Sequence, residues 1–230
     1  MSSYRRILPM DKSLVIEINN VYLKSDRRKQ IFKNLDFKLT QGRSAVVYGP
    51  PGSGKTSLIN LLLGLQKPSS GSVELFGENI GRSSKMKLNK IRRKIGGIGG
   101  MFELIPSLTV AENIAYPLVI TGERSKIRKE RLLKMLTEFS LIKQSAELPE
   151  KLTRVERTLV QFARASIANQ PLLIIDEPSA GLDSKTFSRL SEFLVRASFS
   201  GRSMIILTSE PGTKQIPNSD FYQLKGGGVV

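Results

Sequence analysis

The chain has 230 residues, 40% of them hydrophobic and 24% charged, with a formal net charge of +16. That is one or two domains' worth of chain, enough to bury a real core, with the composition of an ordinary soluble protein. It has no cysteine and no histidine, which excludes disulfides, thiolate and imidazole metal sites and the commonest general base; any metal must be a hard cation held by oxygen, such as Mg²⁺.

The first residues, MSSYRRILPMDK, are basic, and no long apolar run follows them. Neither a signal peptide nor a membrane span is expected, and the expected setting is intracellular. Residues 14–21 (LVIEINNV) and 32–40 (FKNLDFKLT) alternate apolar with polar, which predicts half-buried strands. Residues 45–48 predict a buried strand, 55–65 a helix and 72–76 a further short strand. From 80 to 166 the pattern is mostly helical, with helices expected over 111–121 and 125–140, broken by the glycine run IGGIGG at 95–100. Pro171 opens a dense apolar strand, LLII, that ends in Asp176. Residues 185–197 read as a helix, 204–208 as another buried strand and 221–224 as a last strand before a glycine-rich tail expected to fray. There is no internal repeat. Buried strands alternating with helices imply an α/β fold with a mostly parallel sheet. The expected organisation is one domain over 1–230, with flexible ends at 1–10 and 225–230 and an inserted helical subdomain over about 97–166.

The positive charge is clustered. Residues 82–94 (RSSKMKLNKIRRK) contain no acid, and residues 124–134 (RSKIRKERLLK) contain only Glu130. Each is either a solvated helix face, a surface held near an anionic membrane or a nucleic-acid contact. No aromatics interleave with the bases as a stacking platform requires, so nucleic acid ranks last.

Residues 49–56, GPPGSGKT, fit G-x-x-x-x-G-K-[ST] in full. The glycines let the backbone curl so that successive N–H groups point inward at phosphates, and the helix that follows presents its positive end to them. The cofactor-binding set is Gly49, Pro50, Pro51, Gly52, Ser53, Gly54, Lys55, Thr56 and Ser57. Lys55 is expected to reach the β- and γ-phosphates, and Thr56 to ligate Mg²⁺. A glycine-rich turn with a chance lysine is the other reading, but the strand before and the helix after are the context that a phosphate cradle needs. Asp176, at the carboxyl end of a central strand, is expected to hold Mg²⁺ through water. Glu177 is expected to polarise the attacking water, since a carboxylate is the base left when histidine is absent.

Residues 176–183 read DEPSAGLD. Behind an apolar strand, with the cradle far upstream, this run resembles the ATPase subunits of ABC transporters over nearly the whole chain. LIPSLTVAENIAYPLVITG at 104–122 is similar to the corresponding stretch of the cell-division and lipoprotein-release branch. The resemblance implies a P-loop ATPase with an N-terminal antiparallel β subdomain and an inserted helical subdomain. It further implies ATP and Mg²⁺ as ligands, a homo- or heterodimer of such subunits arranged head to tail, an integral membrane permease as partner, and a peripheral place on the cytoplasmic face of the membrane.

The chain departs from the family pattern at four positions. Where the family has L-S-G-G-Q, residues 152–156 read LTRVE. Both glycines that allow close backbone approach to a partner's γ-phosphate are replaced, by Arg154 and Val155. Thr153 and Glu156 form T-x-x-E, which predicts a capping box. The guanidinium of Arg154 is the available compensation, and Val155, Leu159, Phe162 and Ala163 are expected to face the core. The family's glutamine near Mg²⁺ falls on Gly100, its switch histidine on Ser209, and its adenine-stacking aromatic on Ser25, with Tyr22 nearby. The parts that bind Mg-triphosphate remain, with Asp183; the parts that assemble the transition state do not. Losing one positioned polar contact costs roughly 10²–10³ in rate, so hydrolysis is expected to be slow or absent. A fully active ATPase with substitute roles for Arg154, Gly100 and Ser209 is the alternative, and a basic P-loop protein on nucleic acid the second alternative.

Overall fold

The computed structural model describes residues 13–25, 30–178, 181–209 and 217–229. The strands are β1 (Leu14–Lys24), β2 (Gln30–Thr40), β3 (Ser44–Tyr48), β4 (Ser70–Leu75), β5 (Glu78–Asn79), β6 (Ile95–Ile98), β7 (Leu172–Asp176), β8 (Ser203–Thr208), β9 (Ser219–Lys225) and β10 (Gly228–Val229). The α-helices are α1 (Lys55–Leu62), α2 (Lys85–Arg92), α3 (Val110–Ile120), α4 (Ser125–Glu138), α5 (Arg154–Ile167) and α6 (Ser184–Phe199).

The alternating segments near the start form an antiparallel sheet in the order β2-β1-β4-β5. The continuous apolar runs form a second sheet, β10-β9-β3-β8-β7-β6, in which β9, β3, β8, β7 and β6 run parallel. Such runs need cover on both faces, and their alternate residues go to opposite sides. Leu172 and Ile174 join a core with α1 and the antiparallel sheet. Leu173 and Ile175 join a second core with α3, α4, α5 and α6. The fold is the expected α/β arrangement, with the carboxyl ends of β3, β7 and β8 side by side.

Three local expectations fail. The first four residues of the glycine run are a strand, β6, paired parallel with β7 from Ile95–Leu172 to Ile98–Ile175. Glycine is needed there because neighbours occupy the side-chain space: the Phe102 ring covers Gly97, and the Ala165 carbonyl crowds Gly96. Helix α1 stops at Leu62, with Gly64 left-handed (φ 62°) just beyond it, as glycine favours past a helix end. The tail does not fray over its described residues. Gly226 and Gly227 turn the chain, β10 folds back on β9, and the Gly227 carbonyl accepts from the Lys33 N–H at 2.8 Å. The expected flexible start at 1–10 lies outside the described residues.

Candidate functional site

β3 delivers Gly49, whose N–H donates to the Thr208 carbonyl at 3.0 Å and so ties the cradle to β8. Gly52 (φ 80°) and Gly54 (φ 110°) take left-handed backbone that other residues rarely adopt. A Cβ on Gly54 would also lie 2.9 Å from the Phe32 ring, and one on Gly49 would overlap Ser53 Oγ. Pro50 and Pro51 form the exposed lip. Ser53 Oγ is buried without a hydrogen-bond partner. No side chain caps α1, and its first turn holds no acid. Its amino-terminal N–H groups and positive dipole end are therefore left for an anion. Thr56 is exposed and Ser57 half-buried in that turn. This set fits a polyphosphate.

Lys55 is buried, 8% exposed. Its Nζ donates to the Gly49 carbonyl at 2.6 Å, the Pro50 carbonyl at 3.3 Å and Ser209 Oγ at 2.9 Å, and stands 3.4 Å from Glu177 Oε1. Ser209 meets the same carboxylate twice: its N–H donates to Oε2 at 2.9 Å and its hydroxyl to Oε1. Glu177 sits just past β7 in the left-handed region (φ 50°), with its N–H on the Leu207 carbonyl at 2.9 Å. Lys55, Glu177 and Ser209 thus meet at one point, from α1, β7 and β8. Asp176 ends β7 and is half-buried. Its carboxyl is pushed above the ordinary range by burial, then by the Glu177 charge, against the opposing pull of Lys55. Gly99 (φ 110°) crosses so close that a Cβ would overlap the Asp176 carbonyl. Among the described residues no three His, Cys, Asp or Glu side chains gather as a metal cage. Mg²⁺ bound with a nucleotide needs only one or two carboxylates beside the phosphates and water, so Asp176 and Thr56 suit it.

The capping box at α5 is formed in both directions. Thr153 Oγ1 accepts from the Glu156 N–H at 3.2 Å, and Glu156 Oε2 accepts from the Thr153 N–H and hydroxyl, each at 2.8 Å. The Thr153 N–H and hydroxyl hold the Glu156 carboxyl below the ordinary range. Arg154 lies against Gly181, where a Cβ would stand 2.5 Å from the guanidinium carbon. Phe162 and Ala163 are buried, Leu159 packs at the core's edge and Val155 is half-exposed. Asp183 caps α6, accepting from the Lys185 and Thr186 N–H groups at 3.0 and 2.9 Å.

Gly100 brings no side chain, but a glutamine from elsewhere in the chain reaches this stretch. Gln161, on α5, accepts from the Gly99 N–H at 3.0 Å and donates to the Phe102 carbonyl at 3.2 Å. The sequence reading missed it; the available signal was an amide flanked by the core residues Val160 and Phe162. A cleft of about 360 Å³ beside the carboxylates is lined by Gly99, Gly100, Arg154, Arg157, Asp176 and Glu177 among others. Tyr22 lies on β1 opposite Ser70 and is 37% exposed, while residues 26–29, next to Ser25, lie outside the described residues.

The ABC transporter family model matches residues 32–180. The lipoprotein-releasing system ATP-binding protein LolD of Bacteroides fragilis is 32% identical over 86% of this chain and 92% of its own. The uncharacterised ABC transporter ATP-binding protein YknY of Bacillus subtilis is 28% identical over 94% of this chain and 95% of its own. A dimeric structure of the ATP-binding cassette MJ0796 in a post-hydrolysis state, bound to ADP and Pi, superposes with a TM-score of 0.83 at 28% identity, covering 93% of this chain and 96% of that one. A cradle, a strand-end carboxylate pair and these likenesses, covering nearly the whole chain, agree: the protein belongs to the ABC transporter family, as an ATP-binding subunit of the kind that includes LolD.

Proposed function

We propose that this subunit binds Mg-ATP in the 49–57 cradle, turns it over slowly, and acts on an integral membrane permease as one half of a dimer of such subunits, peripheral on the cytoplasmic face of the membrane. The relatives' names and the dimeric MJ0796 structure support the partner and the pairing. The exposed bases of α2 and α4 support contact with an anionic membrane surface. The observation that carries slow turnover is the closed capping box on α5. Thr153 Oγ1 takes the Glu156 N–H, the third amide of the helix, and on this reading the Glu156 carboxylate opposes the approach of a second subunit's terminal phosphate.

Within one chain the roles divide by element. Gly49, Pro50, Pro51, Gly52, Ser53 and Gly54 shape the cradle, and the amino-terminal N–H groups of α1, at Lys55, Thr56 and Ser57, face the phosphates. Lys55 neutralises charge there. Thr56 and Asp176 hold Mg²⁺, which when bound offsets the charge of the phosphate oxygens. Glu177 accepts the proton of the attacking water.

The test pairs a Mg-ATP binding titration with a phosphate-release assay on the same sample, with Lys55→Ala and Glu177→Gln as controls. Expected are binding lost in Lys55→Ala and release only slightly above that variant's background. Fast release that needs both Lys55 and Glu177 would overturn the slow-turnover reading in favour of a fully active ATPase.

A further inference from the structure

We propose that Gln161 is a positioning residue for Asp176, acting through the turn that follows β6. Gly99 and Gly100 give that turn no side chain to anchor it, and Gly99 is left-handed (φ 110°). Glycine backbone is free to move unless its polar groups are held from outside. One bond closes the turn from within: the Phe102 N–H donates to the Gly99 carbonyl at 3.0 Å. The rest of the grip comes from α5. Gln161 accepts from the Gly99 N–H at 3.0 Å and donates to the Phe102 carbonyl at 3.2 Å and the Gly99 carbonyl at 3.4 Å. One planar amide thus holds both ends of the turn. Turned over, it would set its own N–H groups against the Gly99 N–H, so its partners fix its orientation. Arg164 donates to the Phe102 and Glu103 carbonyls at 2.5 and 2.9 Å, but neither bond reaches Gly99.

Gly99 stands one step beyond Ile98 and Ile175, the last paired residues of β6 and β7, and so lies beside Asp176. A Cβ on Gly99 would overlap the Asp176 carbonyl and stand 2.8 Å from the Asp176 Cβ. Backbone packed this closely transmits its shifts to the stem of the Asp176 side chain. Gln161 is half-buried and lines the same cleft as Asp176. The contacts therefore run from α5 through Gly99 to Asp176. Groups that orient a metal-holding side chain from behind commonly contribute about 10–100-fold to metal affinity. Gln161 serves in this way from outside the metal's reach, because its carbonyl oxygen is taken by the Gly99 N–H. The inference rests on the reading of Asp176 as a group that holds Mg²⁺.

The test compares the full-length parent with Gln161→Met, which keeps the length and helix propensity of glutamine but makes none of these bonds. ATP affinity is titrated with Mg²⁺ and again with a chelator in its place, and amide exchange is followed at Gly99. In the parent the Gly99 amide is expected to be protected. Expected for Gln161→Met are Mg-ATP affinity about tenfold weaker, metal-free ATP affinity within about threefold of the parent, and loss of protection at Gly99. A Gly99 amide that exchanges freely in the parent overturns the proposal, whether or not Gln161→Met folds. Equal weakening with and without the metal overturns it by making Gln161 part of the general scaffold, and unchanged Mg-ATP affinity overturns it as well. Parent protein that binds Mg-ATP and gives any of these three results defeats this inference alone. Parent protein that does not bind Mg-ATP defeats the function proposed above and this inference with it.

Discussion

Asp176 is proposed above to hold Mg²⁺ through its ionised carboxylate, and the folded chain opposes that ionisation. Burial and the neighbouring Glu177 charge disfavour its ionised form and push its carboxyl above the ordinary range. A group whose folded pKa is raised stabilises the fold below the unfolded pKa, and that contribution is lost as pH rises through the folded value. The ionised form of Asp176 is therefore a net cost to the nucleotide-free protein, while the Mg²⁺ role proposed above needs that form. Asp176→Asn should melt at a higher temperature than the parent without nucleotide, and should lose the Mg²⁺-dependent part of nucleotide binding. Calorimetry with and without Mg-ATP reads both. A variant that melts lower in the absence of nucleotide would show that the carboxylate is compensated in the empty site.

At the scale of elements, α5 connects the two halves of the molecule. Its first turn is closed by Thr153 and Glu156, its middle holds the 99–102 backbone through Gln161, and Arg164 donates to the Glu103 carbonyl at 2.9 Å. Its apolar face enters the core with α3 and α4. Removing the cap should therefore loosen a helix that many contacts depend on. Thr153→Ala should cost about 0.5–2 kcal/mol, which for a chain of this size lowers the melting temperature by about 2–4 °C per kcal/mol. A thermal melt checks this. An unchanged melting point would mean that packing alone holds the first turn. The cleft beside α5 is lined by Arg154, Arg157, Asp176 and Glu177, with the Arg157 guanidinium donating to the Pro149 carbonyl at 3.0 Å.

The whole molecule carries a charge of +16, and much of it stands on two helices. Lys85, Lys87, Lys90 and Arg93 are exposed on or just after α2, as are Arg124, Lys126, Lys129 and Lys134 around α4. Ion pairs offset little of it: Lys87 meets Glu78 at 2.5 Å, and Arg131 meets Glu123 at 4.0 Å. No described helix is long and apolar enough to cross a membrane. The protein should co-sediment with vesicles containing phosphatidylserine at low salt and release as salt approaches 1 M, where the screening length falls to about 3 Å. Lys85→Glu with Lys90→Glu should weaken that binding at low salt. Binding indifferent to salt and to this reversal would assign the charge to an acidic protein partner or to solvent.

The fold class, the glycine-shaped loop before α1, the place of Asp176 and Glu177 at the end of β7 and the capping box were determined by the sequence itself, because each is a local pattern whose cause lies within a few residues. Apolar runs bounded by turns make buried strands, G-x-x-x-x-G-K-T makes an inward-facing loop, and T-x-x-E closes its own helix end. The tertiary structure alone decided the rest. Glycines carry no hydropathy period, so the strand at Ile95–Ile98 became legible only once Phe102, Ala165 and β7 surrounded it. The hairpin at the tail depends on β9 and Lys33 being in place. The hydrogen bonds of Ser209 to Glu177, and the reach of Gln161 to Gly99, are contacts across 32 and 62 positions of chain. A side chain's type gives its hydrogen-bonding capacity, but only the packing of parallel strands selects the partner it meets, since residues far apart in sequence become neighbours only when the sheet closes.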